Sequence, residues 1–108
     1  MIIEEAYNRL TAFETRMSKS QFCREYLGVN RNYWFISKHQ NHDISHRVML
    51  RLYQNLRERA ATWGNIAAST DSSNNSYYAE KQRNYSQLAD WVLRTAMESA
   101  KLKTCITI

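Results

Sequence analysis

Apolar side chains recur every three or four positions along most of the chain, which is the pattern of helices that bury one face. The first predicted helix covers residues 2–16. Its apolar face consists of Ile3, Ala6, Leu10, Phe13 and Met17. Only two glycines and no proline are present, too few for the turns of a β-sandwich or for glycine-rich phosphate-binding loops. We therefore expect an all-α protein with about five helices.

Residues 18–39 predict two short helices joined by a tight turn. Ser18 and Gln21 have the spacing of a capping box, which marks a helix start. The inward positions of that helix are Phe22, Cys23, Tyr26 and Leu27. Gly28 follows at once, and glycine just past a helix end commonly takes a left-handed conformation. Asn30 is a good N-cap for the second short helix.

A longer helix is predicted at residues 45–63, after a polar loop at residues 40–43. Asp43 or Ser45 can cap its start, and Gly64 is a natural terminator. Its apolar face consists of Val48, Met49, Leu52, Tyr53, Leu56 and Ala60. Residues 1–67 thus form the first predicted unit.

The C-terminal part begins with a Ser- and Asn-rich segment at residues 68–76, which predicts an exposed loop. Residues 77–108 follow as a C-terminal unit, in which a helix runs from about 77 to 103. The inward candidates are Tyr78, Tyr85, Leu88, Ala89, Val92, Ala96 and Ala100. A helix of that length is about 40 Å long, so we expect part of it to project or to pair with another surface.

Positive charge is concentrated in the middle of the chain. The net charge is +5, and residues 18–63 alone carry eight Lys and Arg against three Asp and Glu. All three histidines lie there as well. Such a concentration is typical of a protein that binds a polyanion, although a solvated helix surface can also be basic.

Three features of residues 18–56 occur together. They are Cys23 on the first short helix, the turn sequence Leu27-Gly28-Val29-Asn30, and the sequence Leu50-Arg51-Leu52-Tyr53-Gln54-Asn55-Leu56 on the longer helix. This combination resembles the helix-turn-helix of phage Cro/repressor-like DNA-binding proteins. The resemblance implies sequence-specific binding of double-stranded DNA by a phage or bacterial transcriptional repressor, which needs no cofactor and occupies its operator.

The sequence departs from that family in two places. The small residue, Cys23, stands five positions before Gly28, where the family usually has four, and Arg24 occupies the usual position. Either the first short helix is one residue longer, or the two helices pack at an altered angle. In addition, residues 33–36 (Tyr-Trp-Phe-Ile) are consecutive, and one helix face cannot bury them all, so at least one or two face outward.

The resemblance and the residue types together nominate DNA contacts. The base-reading candidates are Asn30, Arg31, Asn32, Tyr33 and Lys38. The phosphate-binding candidates are Lys19, Gln21, Arg24, Arg47 and Arg51. An exposed Tyr33 or Phe35 is suited to a thymine methyl group, whereas Trp34 is expected in the core. Any single cation here is equally compatible with an ordinary surface role.

Two kinds of protein contact are also expected. Repressors of this type bind as two-fold homodimers, and the long C-terminal helix is the candidate dimerisation element, through Tyr85, Leu88, Trp91 and Val92. The alternative function is a protein–protein interaction module, such as a small phage inhibitor or adaptor. Its contact patch would be Tyr33, Trp34 and Phe35 on the same scaffold.

Other chemistry is weakly indicated. His39, His42 and His46, with Asp43 or Cys23, have a spacing compatible with zinc, but they cross a loop and lack paired cysteines, so no metal is expected. Cys23 is predicted as a buried thiol, and no catalytic triad or carboxylate pair is recognisable, so we expect no enzyme. Aromatic and basic residues also permit single-strand stacking. Two unpaired cysteines and the absence of a signal sequence or apolar span predict a cytoplasmic protein without membrane contact.

Overall fold

The computed structural model describes residues 2–40, 42–69 and 72–107, with the side chains of the last segment described over 75–98. All regular structure in these ranges is helical, which confirms the all-α prediction. The helices are α1 (Ile2–Thr11), α2 (Lys19–Gln21, continuing as a π-helix over Phe22–Leu27), α3 (Tyr33–His39), α4 (His46–Ser69) and α5 (Ser72–Thr107).

Helix α1 buries the predicted face but is shorter than expected. It ends at Thr11, so the prediction of a helix to residue 16 is wrong at its C-terminal end. The residues that follow the helix contact α5. The Phe13 ring lies 5.0 Å from that of Tyr85, and the Lys81 ammonium donates to the Phe13 carbonyl oxygen at 2.9 Å.

Helix α2 contains one residue more than a regular α-helix would need. Ser18 caps its start by accepting a hydrogen bond from the Gln21 amide at 3.1 Å, as predicted. Further along, the Gly28 amide donates to the Cys23 carbonyl, the wide i→i+5 bond of a π-helix, and the Val29 amide donates to the same carbonyl at 3.0 Å. This winding resolves the unusual spacing, because Cys23 is fully buried while Arg24 is exposed.

Helices α4 and α5 form a long hairpin, and two predictions about it are wrong. Gly64 does not end α4, which continues to Ser69. A Cβ on Gly64 would lie only 2.7 Å from Nε2 of Gln82 on α5. The glycine instead allows the α5 side chain to approach the α4 backbone. The polar segment 68–76 is not a loop: residues 68–69 and 72–76 are helical, and residues 70–71 lie outside the described ranges.

The core joins α1, α2 and α3 to one face of this hairpin. The predicted inward residues of α4 are buried at Met49, Leu52, Leu56 and Ala60, and those of α5 at Tyr85, Leu88, Ala89, Val92 and Ala96. Ala100 and Cys105 lie outside the described side chains. The molecule measures 53 × 31 × 18 Å, and its long axis is close to the length of a 36-residue helix. In the described part of the chain, no helix is apolar over a length that would cross a bilayer.

Candidate nucleic-acid interface

Helix α3 is fixed to the core by one narrow face. Trp34 and Ser37, one turn apart, are buried, and the Trp34 ring contacts those of Tyr7 (5.2 Å between centroids) and Phe22 (6.4 Å). The Trp34 amide is also hydrogen-bonded to the Cys23 thiol. Burial raises the pKa of that thiol, and the bond from Trp34 only partly offsets the effect. Cys23 is therefore an uncharged packing residue that allows α3 to approach α2 closely.

The turn between α2 and α3 is built by Gly28 and Asn30. Gly28 has φ 65° and ψ 34°, the left-handed conformation that was predicted for it. The Asn30 side chain accepts a hydrogen bond from the Asn32 amide at 2.8 Å, and its carbonyl accepts one from the Tyr33 amide at 2.9 Å. Helix α3 consequently begins at Tyr33, two residues later than predicted, and Arg31 and Asn32 lie exposed in the turn.

The outer face of α3 is unusually apolar at its centre. Phe35 and Ile36 are 55% and 50% exposed, which confirms that part of the Tyr33–Ile36 run faces outward. Trp34 is in the core as predicted, and Tyr33 is half-buried against the core. The predicted protein-contact patch of Tyr33, Trp34 and Phe35 is therefore wrong at Trp34, and the exposed neighbours are Phe35 and Ile36. A shallow depression on this face is lined by Asn32, Phe35, Ile36, His39 and Gln40. These five side chains are called the α3 stripe below.

Two arginines from α4 lie beside the turn. A Cβ on Gly28 would stand 2.5 Å from Cδ of Arg51, so the Arg51 side chain crosses directly over the glycine. Arg47 lies one helical turn earlier, and both arginines line a second depression together with Gly28 and Val29. Ser45 caps the start of α4 by accepting from the Val48 amide at 3.3 Å, as one of the two predicted caps.

The other predicted contact residues lie around α3 with different exposures. The Lys19 ammonium stands 5.0 Å from the centroid of the Trp34 ring. Arg24 is exposed, and Gln21 is half-buried and donates to the Glu25 carboxylate at 3.2 Å. Lys38 forms an exposed ion pair with Glu4 at 3.3 Å, so its charge is already partly balanced.

The Asp43 carboxylate, in the segment before α4, is engaged by backbone amides. Asp43 accepts hydrogen bonds from the amides of Ile2 (2.9 Å), Ile3 (3.3 Å) and Ile44 (2.8 Å). The prediction that Asp43 caps α4 is wrong, because its carboxylate caps the start of α1. Among the described residues, no carboxylate lies within ion-pair distance of Arg24, Arg31, Arg47 or Arg51.

The residues predicted for dimerisation do not form a surface. Tyr85, Leu88 and Val92 are at most 5% exposed, within the protomer's own core. Trp91 is half-buried, and the Arg9 guanidinium lies 4.5 Å from its ring centroid. The prediction that these four residues form a dimer interface is therefore wrong. A second copy of the chain would have to contact other side chains.

A polar network that the sequence did not predict links the segment after α1 to α5. One oxygen of Glu14 accepts from the Tyr85 hydroxyl at 2.7 Å and from the Lys81 ammonium at 2.9 Å. Tyr26 adds a hydroxyl contact to Tyr85 at 3.2 Å. Partial burial alone would raise the pKa of Glu14, but the bonds from Tyr85 and Lys81 outweigh it and lower the pKa. The pKa of Tyr85 is raised, first by burial and then by its bonds to Tyr26 and Glu14.

No local sequence pattern indicates this network, because its hydrogen-bonded partners are 59 to 71 positions apart in sequence. Glu14 thereby connects the segment after α1 to α5, and the contact between Tyr85 and Tyr26 connects α5 to α2. The histidines considered for zinc do not assemble a site: within the described ranges, no three His, Cys, Asp or Glu side chains are grouped to hold a metal ion.

The chain was also compared with known proteins. A search of curated proteins and a search of solved structures each gave no match. Residues 3–102 match the family described as "Family of unknown function (DUF6626)", and the chain therefore belongs to that family.

Proposed function

We propose that this protein binds double-stranded DNA sequence-specifically through α3 and acts as a transcriptional repressor of phage or bacterial type. The observation that carries the proposal is an exposed α3 face flanked by arginines that have no carboxylate partner among the described residues. A helix held at a tight turn by its inner face leaves its outer face available to the major groove, which is wide enough to admit it.

The contacts divide by position. Arg31 and Asn32 lie in the turn at the start of α3, where side chains of a recognition helix usually reach base edges. Arginine pairs bidentately with guanine, and asparagine pairs with adenine. Tyr33 is half-buried, and Asn30 is used in the turn, so both have a smaller part than the sequence predicted. Lys38 has to exchange its contact with Glu4 for one with DNA.

Phosphate contacts come from the cations around the turn. Lys19, Arg24, Arg47 and Arg51 are exposed on α2 and α4. Four phosphate contacts predict a log–log salt slope of about −3.6 per protomer. Two protomers related by a two-fold axis would double that slope and read half-sites about 34 Å apart, and occupying such a site would exclude polymerase.

A salt titration of binding tests the proposal. A fluorescent random-sequence duplex is titrated with protein from low to physiological salt, and the anisotropy gives the slope. We expect Arg47→Gln with Arg51→Gln to lower the magnitude of the slope by about 1.8 per protomer. The matched control neutralises two exposed α5 cations, Arg83→Gln with Arg94→Gln, and keeps the slope. A slope near zero for the parent protein would refute DNA binding.

A protein-interaction module is the second candidate function. The specific observation in its favour is that Phe35 and Ile36 lie exposed side by side on one short helix. Adjacent large apolar side chains on a polar surface are typical of protein contact sites. A partner bound through them would be lost with Phe35→Ala but would show little dependence on Arg47 and Arg51, the reverse of the pattern expected for DNA.

A further inference from the structure

The α3 stripe has a chemical composition that differs from the basic residues around it. Its centre is the pair Phe35 and Ile36, and its polar members, Asn32, His39 and Gln40, stand at the two ends. An apolar centre between hydrogen-bonding groups complements a surface that carries methyl groups as well as donors and acceptors.

The major groove offers such a surface at A·T pairs. Thymine presents its 5-methyl group there beside the O4 acceptor, whereas a G·C pair presents only polar edges. Adenine presents an acceptor and a donor that an Asn or Gln amide can pair with bidentately. The arginines beside the turn, which have no carboxylate within ion-pair distance among the described residues, complement the phosphates on either side. This favours a nucleic acid over an apolar protein partner at this face.

We infer that the α3 stripe reads thymine methyl groups, so that the preferred site contains adjacent A·T pairs with Phe35 and Ile36 against their methyls. This inference rests on the proposed function and adds the class of sequence that is recognised. Phe35 and Ile36 are specificity-determining residues in it, and Asn32 and Gln40 select the adenines.

Replacing thymine by uracil isolates the methyl group, because uracil pairs with adenine in the same way and lacks only that group. A duplex is first selected from a random pool by the parent protein. Each thymine of the selected duplex is then replaced in turn by deoxyuridine, and Kd is measured at fixed salt. We expect about a fourfold loss of affinity at each thymine that is read, the effect of one buried methyl group.

Three variants separate the side-chain roles. For Phe35→Ala, replacing one particular thymine by deoxyuridine should no longer change Kd. For Ile36→Ala, the same should hold at a different thymine. Arg47→Gln should weaken both duplexes by the same factor and keep their ratio. Met97→Ala removes a side chain that is 63% exposed on α5, and it should change neither affinity nor ratio.

The outcomes distinguish the two proposals. If a duplex is selected but thymine and uracil bind equally at every position, methyl reading is refuted and DNA binding stands. If no duplex is enriched at low salt, the proposed function fails and this inference fails with it.

Discussion

Replacing Gly28 by alanine is the most direct test of how the chain positions α3. The residue has φ 65° and ψ 34°, so an alanine must take a left-handed conformation that side chains with a Cβ disfavour. The new Cβ would also stand 2.5 Å from Cδ and 2.6 Å from Nη1 of Arg51. Two separate penalties are therefore predicted, one from the backbone and one from crowding.

The backbone penalty is the larger of the two. Left-handed conformation costs a non-glycine residue about 1–2 kcal/mol. The Arg51 side chain is flexible and exposed, and it can swing away at the loss of its contact with the turn. We expect Gly28→Ala to lower the free energy of unfolding by about 1–2 kcal/mol, and Tm by about 4–8 °C for a domain of this size.

Urea and thermal unfolding, followed by circular dichroism, measure this change. Asparagine tolerates the left-handed region better than alanine, so the expected order of stability is glycine, then Gly28→Asn, then Gly28→Ala. Combining Gly28→Ala with Arg51→Ala removes the crowding and should recover only a small part of the loss. If Gly28→Ala is as stable as the parent, the turn does not have this conformation. If the double variant recovers fully, the penalty is steric.

Three further substitutions test other parts of the fold by urea unfolding. Glu14→Gln should lower the free energy of unfolding by about 1 kcal/mol at pH 7. Because the pKa of Glu14 is lowered from 4.5, this difference is present above pH 4.5 and disappears as the pH falls through the folded-state pKa. Gly64→Ala in a Gln82→Ala background should stabilise α4 by about 0.5–1 kcal/mol through helix propensity, since the crowding atom is removed. Trp34→Ala should cost about 3–5 kcal/mol, whereas Phe35→Ala should stay within about 0.5 kcal/mol of the parent.

Each of these measurements has an outcome that would contradict its reasoning. A Glu14→Gln difference that stays constant from pH 7 down to the acid unfolding of the protein would show that the carboxylate charge does not matter. Gly64→Ala that destabilises even without the Gln82 side chain would mean that backbone atoms of α5 are in the way. Equal losses for Trp34→Ala and Phe35→Ala would mean that α3 is rotated from its described orientation.

Features determined by neighbouring residues could be predicted from the sequence. The buried faces of α1, α2 and α4 follow helical spacing, and the Ser18 and Ser45 caps follow local hydrogen bonding. The left-handed Gly28 was predicted for the same reason, since glycine after a helix has few alternatives. Helix geometry predicted that one or two residues of the run 33–36 face outward, but the sequence did not show that these are Phe35 and Ile36.

Features that depend on distant residues could not be predicted. In the sequence, Gly64 has the appearance of a helix terminator. Its contact with the Gln82 side chain, 18 positions later, is visible only in the folded structure. Asp43 reads as a cap for the helix that follows, and its actual partners are the amides of Ile2 and Ile3 some 40 positions away. The polar segment at 68–76 has low helix propensity, yet its described backbone at 68–69 and 72–76 is helical, and the Asn75 side chain donates to the Ala67 carbonyl at 2.8 Å.

The π-helical winding over Phe22–Leu27 has a consequence for chain length. The wider turn accommodates one additional residue, so Gly28 can keep its position in space whether α2 contains that residue or not. Deleting exposed Arg24 would let the segment rewind as an ordinary α-helix, with Cys23 then four positions from the glycine and still facing α3. Homologous chains one residue shorter here can thus conserve the same three-dimensional arrangement, and an alignment gap at this point would mark a change of winding.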